Sequence, residues 1–160
     1  MTEATISTEL RARIDDFLLD YAHCIDDDDL EQWPSFFAES GLYQIIPREG
    51  YEAGHPIGVM LCRGRGMMID RVRAMRQANI YEPQRYTHIL SRSQMASRGS
   101  AITLRTNFQI LRTMQDGACD LFACGHYLDA VQVEDTALTF LERRVLLDSR
   151  RIDTLLVVPI

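Results

Sequence analysis

Residues 101–117 read AITLRTNFQILRTMQDG, and the chain keeps the same habit of alternating apolar with polar positions to about Leu147. Ile102, Leu104, Phe108, Ile110 and Met114 fall on one side of an extended chain. Thr103, Arg105, Asn107, Gln109 and Thr113 fall on the other, which is the period of two of a half-buried strand. Asp116-Gly117 follows, and Asp-Gly between two such runs predicts a two-residue type I′ hairpin, whose centre residues both need positive φ. A second strand is expected from about Cys119 to Val133, a turn at Glu134-Asp135, and a third strand from about Ala137 to Leu147. A sheet this long requires a cover on its apolar face.

The cover precedes it in the chain. Ser7 or Thr8 can cap a helix in which Leu10, Ile14, Phe17, Leu18, Tyr21 and Ile25 recur at helical spacing. The run Asp26 to Asp29 stops that helix and starts a short aromatic element, Leu30, Trp33, Phe36 and Phe37, with Pro34 confined to its first turn. A strand is expected over Leu42 to Pro47, then a loop over residues 48–64, rich in Gly and Pro, with one edge strand near Val59 to Cys62. A third helix runs from Gly66 to near Ile80, its stripe made of Met68, Val72 and Met75. Arg85 to Met95 re-enters the sheet, and Ile152 to Val158 forms a last strand. This order predicts an α+β domain filling residues 1–160, with N-terminal helices packed on a long curved antiparallel sheet that can wrap into a cone.

Composition narrows the function classes. The 17 basic residues are all arginine, read as codon bias rather than chemistry, and the net charge is -6. No basic stripe stands out, so nucleic acid is not an expected partner. No apolar run reaches the length of a membrane span and the polar start is unlike a signal peptide, so a cytoplasmic protein with free thiols at Cys24, Cys62, Cys119 and Cys124 is expected.

Candidate chemistry is sparse. His23, His55, His88 and His126 are scattered, and Cys124-Gly125-His126 is the single place where a histidine follows a cysteine by two or three residues. Cys119 and Cys124 fall on opposite faces of one strand unless a bulge intervenes. The strongest general-base candidate is His126, which shares an expected buried face with Phe122, Cys124, Leu128 and Ala130, with Asp129 pointing away. His88, between Tyr86 and Leu90, is the next. For both, a core histidine satisfied by a polar neighbour is the favoured reading, because sequence fixes no acid or nucleophile beside either. Helix stop and start signals account for Asp26 to Asp29, and packing for Met67, Met68, Met75, Trp33, Phe36 and Phe37.

The stretch Asp29-Leu30-Glu31-Gln32-Trp33-Pro34-Ser35-Phe36-Phe37, with Leu42-Tyr43 after it, resembles the signature of nuclear-transport-factor-2-like (cystatin-like) cone domains. That signature is shared by ketosteroid isomerases, scytalone dehydratases, polyketide cyclases and structural subunits. Adding Asp70-Arg71-Val72, Asn79-Ile80-Tyr81-Glu82, Arg85-Tyr86, His88-Ile89-Leu90, Leu147-Asp148-Ser149 and Asp153-Thr154-Leu155, the chain resembles the small (β) subunits of aromatic-ring-hydroxylating dioxygenases over essentially its whole length. It is most similar to partners of enzymes acting on aromatic carboxylates such as terephthalate, salicylate or anthranilate.

The resemblance implies a non-catalytic structural subunit with no cofactor of its own. It implies a partner α subunit holding a Rieske [2Fe-2S] cluster and a mononuclear Fe(II), and an α3β3 assembly. Trimeric self-association is expected, with Arg85, Tyr86, Asp153, Leu155 and Ile160 near subunit contacts. Two competing expectations are a free-standing isomerase or dehydratase using His88 or His126, and a homotrimeric or dimeric binding domain for a small aromatic.

Overall fold

The computed structural model describes residues 5–78, 82–148 and 158–160. Helix α1 (Thr8–Asp26) starts where expected: the Ser7 side chain accepts the Leu10 N–H at 3.1 Å. It ends at the aspartate run, where Asp27 caps it and Asp28 takes φ +60°. The aromatic element is a 3₁₀ turn, Trp33–Phe36, too short for an α-helix and opened by Pro34. Strand β1 (Phe37–Pro47) begins earlier than the sequence pattern suggests. The reason lies across the sheet, where Phe37 pairs with Phe140 before a register shift brings Leu42 opposite Glu142.

Residues expected to be loop contain a short helix α2 (Arg48–Glu52), and the expected edge strand is β2 (Met60–Arg63). Helix α3 (Arg65–Ala78) follows, burying Met68, Val72 and Met75 as its spacing predicts. The single strand expected over Arg85 to Met95 is two strands, β3 (Gln84–Leu90) and β4 (Gln94–Arg98), which pair with opposite halves of β5 (Ala101–Met114). Serines make the break. The Ser91 side chain accepts the Asn107 N–H at 2.9 Å, and the hydroxyls of Ser93 and Thr106 lie 2.6 Å apart. Strands β6 (Cys119–Glu134) and β7 (Ala137–Leu147) complete a seven-stranded sheet among the described residues, in the order β2-β1-β7-β6-β5-β3 with β4 also on β5. Its pairings are antiparallel except for β1 with β7, which is parallel. The expected last strand from Ile152 lies outside the described residues up to residue 158.

The β5–β6 turn differs from the expected two-residue type. Gly117 N–H bonds to the Met114 carbonyl and Met114 N–H to the Ala118 carbonyl, both at 2.9 Å, closing a three-residue loop. Gly117 takes φ +88° while Asp116 is not among the positive-φ residues, the pattern of a type I turn followed by a left-handed bulge residue. Asp116 Oδ1 accepts the Ala118 N–H at 2.9 Å, which favours this geometry.

A β-bulge on β6 sets which residues face the core. Ile110 pairs with Ala123 and Leu111 with Leu121, leaving Phe122 as the extra residue. Phe122 and Ala123 are both buried, and the alternation changes phase there. Beyond the bulge Gly125, Tyr127, Asp129 and Val131 are the inward set, and Cys124, His126, Leu128 and Ala130 face outward. The expected buried face of β6 is therefore the outer one, and the same phase change puts Cys119 and Cys124 on one side.

The concave face closes over α1, α3 and the 3₁₀ turn. Ile14, Leu18, Tyr21 and Ile25 pack against Trp33, Phe37, Tyr43, Ile45, Phe108, Tyr127, Phe140 and Val145. Edge-to-face aromatic pairs fix the packing, among them Trp33 with Tyr43 at 5.0 Å between centroids and Tyr21 with Phe140 at 5.5 Å. The outer face of β1 is covered instead by α2 and the loop after it. There Gln44 Nε2 bonds the Ile57 carbonyl at 2.9 Å, and Ile46 lies under Gly50 and Gly58.

Candidate functional site

Among the polar groups buried in this apolar interior, two clusters bear on chemistry. The first is an ion pair that the sequence pattern conceals. Asp129 on β6 and Arg143 on β7 are direct cross-strand partners pointing inward. Arg143 Nε and Nη2 donate to the two carboxylate oxygens at 2.9 and 3.1 Å, with both side chains almost fully enclosed. The guanidinium also lies 3.8 Å from the Tyr127 ring centroid and 4.2 Å from that of Tyr21. Burial works against the charge, but the facing carboxylate and the ring oxygens hold the Arg143 pKa above its ordinary value. Around it, Trp33 Nε1 donates to Tyr21 Oη at 3.1 Å and Tyr43 Oη donates to the Ile160 carbonyl at 2.8 Å. Burial pushes the phenol pKa values of Tyr21, Tyr43 and Tyr127 up, so these hydroxyls are proton donors and not phenolates.

The second is at the end of α1. Asp26 accepts twice from one residue of β3: the His88 backbone N–H reaches Oδ2 at 2.9 Å, and the ring Nδ1 lies 2.5 Å from Oδ1. The aspartate is more than a helix stop signal, and His88 does have an acid beside it, brought from 62 positions away. A carboxylate that orients a histidine is the usual support of a general base. Here the His88 side chain has no exposure, and its Nε2 is buried without a hydrogen-bond partner, as is Tyr127 Oη. A cleft of about 710 Å³ lies beside the pair, lined by Asp26, Arg76, Arg85, Tyr86 and Thr113 among others. It reaches Asp26 but not His88. With Nε2 enclosed, no substrate proton comes within reach, and the pair pins the C-terminus of α1 to the sheet.

His126 faces outward, away from the Asp26–His88 pair. Its Nδ1 lies 3.2 Å from Arg48 Nη2, which also binds Asp148 Oδ1 at 2.8 Å. Burial, then the positive charges of Arg105 and Arg48, hold the imidazole below its ordinary pKa. A neutral histidine accepting from an arginine is satisfied in the way the sequence favoured, but on the opposite face.

The other residues singled out by sequence are dispersed. Arg85 is exposed on β3. Tyr86 is buried, stacked on Phe122 with 5.2 Å between ring centroids. Ile160 is fully buried between Tyr21 and Tyr43, while Asp153 and Leu155 lie outside the described residues. The aspartates after Asp26 belong to a surface cluster, in which Arg76 joins Asp28 and Glu31 at 2.8 to 3.0 Å. Among the described residues no three His, Cys, Asp or Glu side chains converge as metal ligands. The four cysteines are free thiols, and burial followed by the neighbouring acids pushes that of Cys24 up to about 11. No described helix is long and apolar enough to cross a membrane.

Comparison with known proteins gives this architecture a context. The family model described as the ring hydroxylating β subunit matches residues 21–154. The small subunit of anthranilate 1,2-dioxygenase from Burkholderia cepacia is 36% identical over 141 residues, covering 88% of each chain. A β subunit of the terminal oxygenase component of terephthalate 1,2-dioxygenase from a Comamonas species is 37% identical, covering 88% of this chain and 92% of that one. Among solved structures, the β subunit of an aromatic-ring-hydroxylating dioxygenase from Novosphingobium aromaticivorans superposes with a TM-score of 0.85. It is 33% identical, over 94% of this chain and 96% of that one.

Proposed function

The chain belongs to the family of ring-hydroxylating dioxygenase β subunits, and from that footing we propose that it supports a large subunit that hydroxylates an aromatic carboxylate. The observation that carries this reading is the length of the match: relatives named for anthranilate and terephthalate dioxygenases align over 88% of this chain. The interior chemistry agrees with it. The Asp26–His88 and Asp129–Arg143 pairs hold α1 to β3 and β6 to β7, and the enclosed His88 presents no atom to a substrate.

On this reading the large subunit carries the Rieske [2Fe-2S] cluster and the mononuclear Fe(II). The complex is α3β3, the chain is one domain over residues 1–160, and the assembly works in the cytoplasm. The β subunits form a trimer by a head-to-tail patch that closes on itself. Such obligate interfaces exceed roughly 2,000 Å² and are enriched in arginine and aromatic residues. Exposed Arg85, its neighbour Tyr86 and the segment from Asp153 to Ile160 are proposed as subunit-contact residues.

Co-expression with a Rieske-bearing large subunit of the same family tests the proposal. The purified complex should be brown, show a Rieske signal and hydroxylate an aromatic carboxylate. The chain alone should be colourless and inert, with a mass of about 55 kDa by light scattering, from three chains of 18.3 kDa. A monomer at all concentrations that fails to bind the large subunit sinks the reading. Turnover of a ketone or phenol by the chain alone would favour the isomerase or dehydratase alternative.

A further inference from the structure

A second cleft, of about 460 Å³, opens on the outer face of the sheet, on the far side from the Asp26–His88 pair. Its volume lies within the range of small-molecule sites, roughly 300 to 1,000 Å³. One wall is apolar, made by Ile89 and Leu90 of β3, and Ile89 is 49% exposed. The opposite wall is an array of donors: Arg105, Asn107 and Gln109 alternate along the outward side of β5, and Arg48 enters from α2.

The donors are undersatisfied within the chain. Arg48 spends one nitrogen, Nη2, on both Asp148 and His126, while its Nε is buried with no partner. The Arg105 side chain has no hydrogen bond or ion pair among the described residues and lines the cleft. In a chain of net charge -6, two arginines converging beside an apolar wall are a local reversal of sign. His126 adds no charge near neutral pH, since burial and these same arginines keep it neutral. Asp148 offsets one arginine and Glu52 acts on His126 from α2, so the second arginine is left to meet an external anion.

We propose that this cleft binds a small carboxylate with a flat apolar body, the carboxylate held by Arg105 and Arg48 and the body laid against Ile89 and Leu90. An arginine fork matches a carboxylate with two parallel hydrogen bonds, stronger than neutral ones, and the guanidinium plane also accepts a stacked ring. A bound carboxylate near His126 favours its protonated form, so ligand binding shifts the imidazole titration upward. The inference stands on the cleft alone and does not depend on the assembly described above.

Benzoate, benzamide and acetate, titrated into the full chain and followed by the His126 ring signals in NMR, test it. Benzoate is expected to bind saturably, to move the His126 titration to higher pH, and to bind at least tenfold more tightly than isosteric but neutral benzamide or the ringless acetate. Arg105→Gln should weaken benzoate binding at least tenfold while leaving the thermal midpoint of the free chain unchanged. Ile89→Asn should weaken benzoate but not acetate. Equal binding of benzoate and benzamide, no saturable response at His126, or a variant Arg105→Gln that binds as wild type would each overturn the proposal.

Discussion

Arg143 and Asp129 face each other across β6 and β7, joined by two hydrogen bonds of 2.9 and 3.1 Å inside an aromatic shell. Removing one partner strands the other without water. Arg143→Met alone should cost about 3–5 kcal/mol, the penalty of an uncompensated buried charge. The double variant Asp129→Leu/Arg143→Met should regain most of that loss, because an apolar pair avoids the desolvation of both ions. Urea unfolding of the single and double variants checks the coupling; equal losses in both would mean that the site is wetter than its geometry indicates.

Trp33→Ala should destabilise the chain by about 3–5 kcal/mol, the usual range for truncating a buried aromatic. The indole is fully enclosed, donates to Tyr21 Oη, and packs edge-on against Phe37 and Tyr43. A denaturation midpoint within error of wild type would contradict this packing.

Two glycines should respond for different reasons. Gly117→Val forces a β-branched residue to φ +88°, strained although no atom lies near, and should cost about 1–3 kcal/mol. Gly125→Ala meets the backbone itself, since a Cβ there would sit 1.9 Å from the Leu146 carbonyl oxygen. It should fail to give soluble protein or cost more than about 3 kcal/mol, the upper part of the range for forced overpacking. Comparable expression and melting of the two variants would show that the β6–β7 approach relaxes easily.

His88→Gln and Asp26→Asn should each lower stability by about 1–3 kcal/mol, the cost of breaking a buried hydrogen bond to a charged group. Ring hydroxylation by the reconstituted complex should stay within a few-fold of wild type. Loss of a true general base costs roughly 10²–10⁴-fold, so a drop of that size in an intact complex would make His88 a catalytic residue.

His126 makes acid stability a readout of the outer face. Burial and then Arg105 and Arg48 keep its folded pKa low, whereas an unfolded chain takes up the proton near pH of about 6.5. The contribution of the neutral ring is complete above that value and is lost as pH falls through the folded pKa. Wild type should therefore lose stability relative to His126→Gln as pH falls from neutrality toward 5, and a constant difference across that window would show that the ring is free to protonate in the folded state.

The alternation in residues 101–117 and the helical stripes of α1 and α3 were legible because each is a local periodicity imposed by one dominant core. Faces were harder. The inward set of β6 depends on one extra residue at Phe122, and a bulge leaves no mark in an alternating pattern, so His126 was expected inside and lies outside. Asp129, expected to point away from the His126 face, is the core anion for the same reason. The Asp26–His88 contact was invisible because it joins a helix end to a strand 62 positions on, and sequence order carries no information on which strand passes the end of α1. The turn at Gly117 was found, but its type rests on the Asp116 side chain capping Ala118.

The parallel contact of β1 with β7 also bears on how the chain reaches its native state. Gln44 and Arg144, hydrogen-bonded partners on these strands, are 100 positions apart. Local hairpins such as β5–β6 can form within microseconds, but a sheet joined through so distant a pairing belongs with topologies that fold in milliseconds to seconds. Until that seam closes, β1 and β7 each present an unpaired edge, the template on which chains associate wrongly. Slow translation and low growth temperature should therefore raise the yield of soluble chain without altering the product, because they lengthen the time available for a contact that no neighbouring segment can make early.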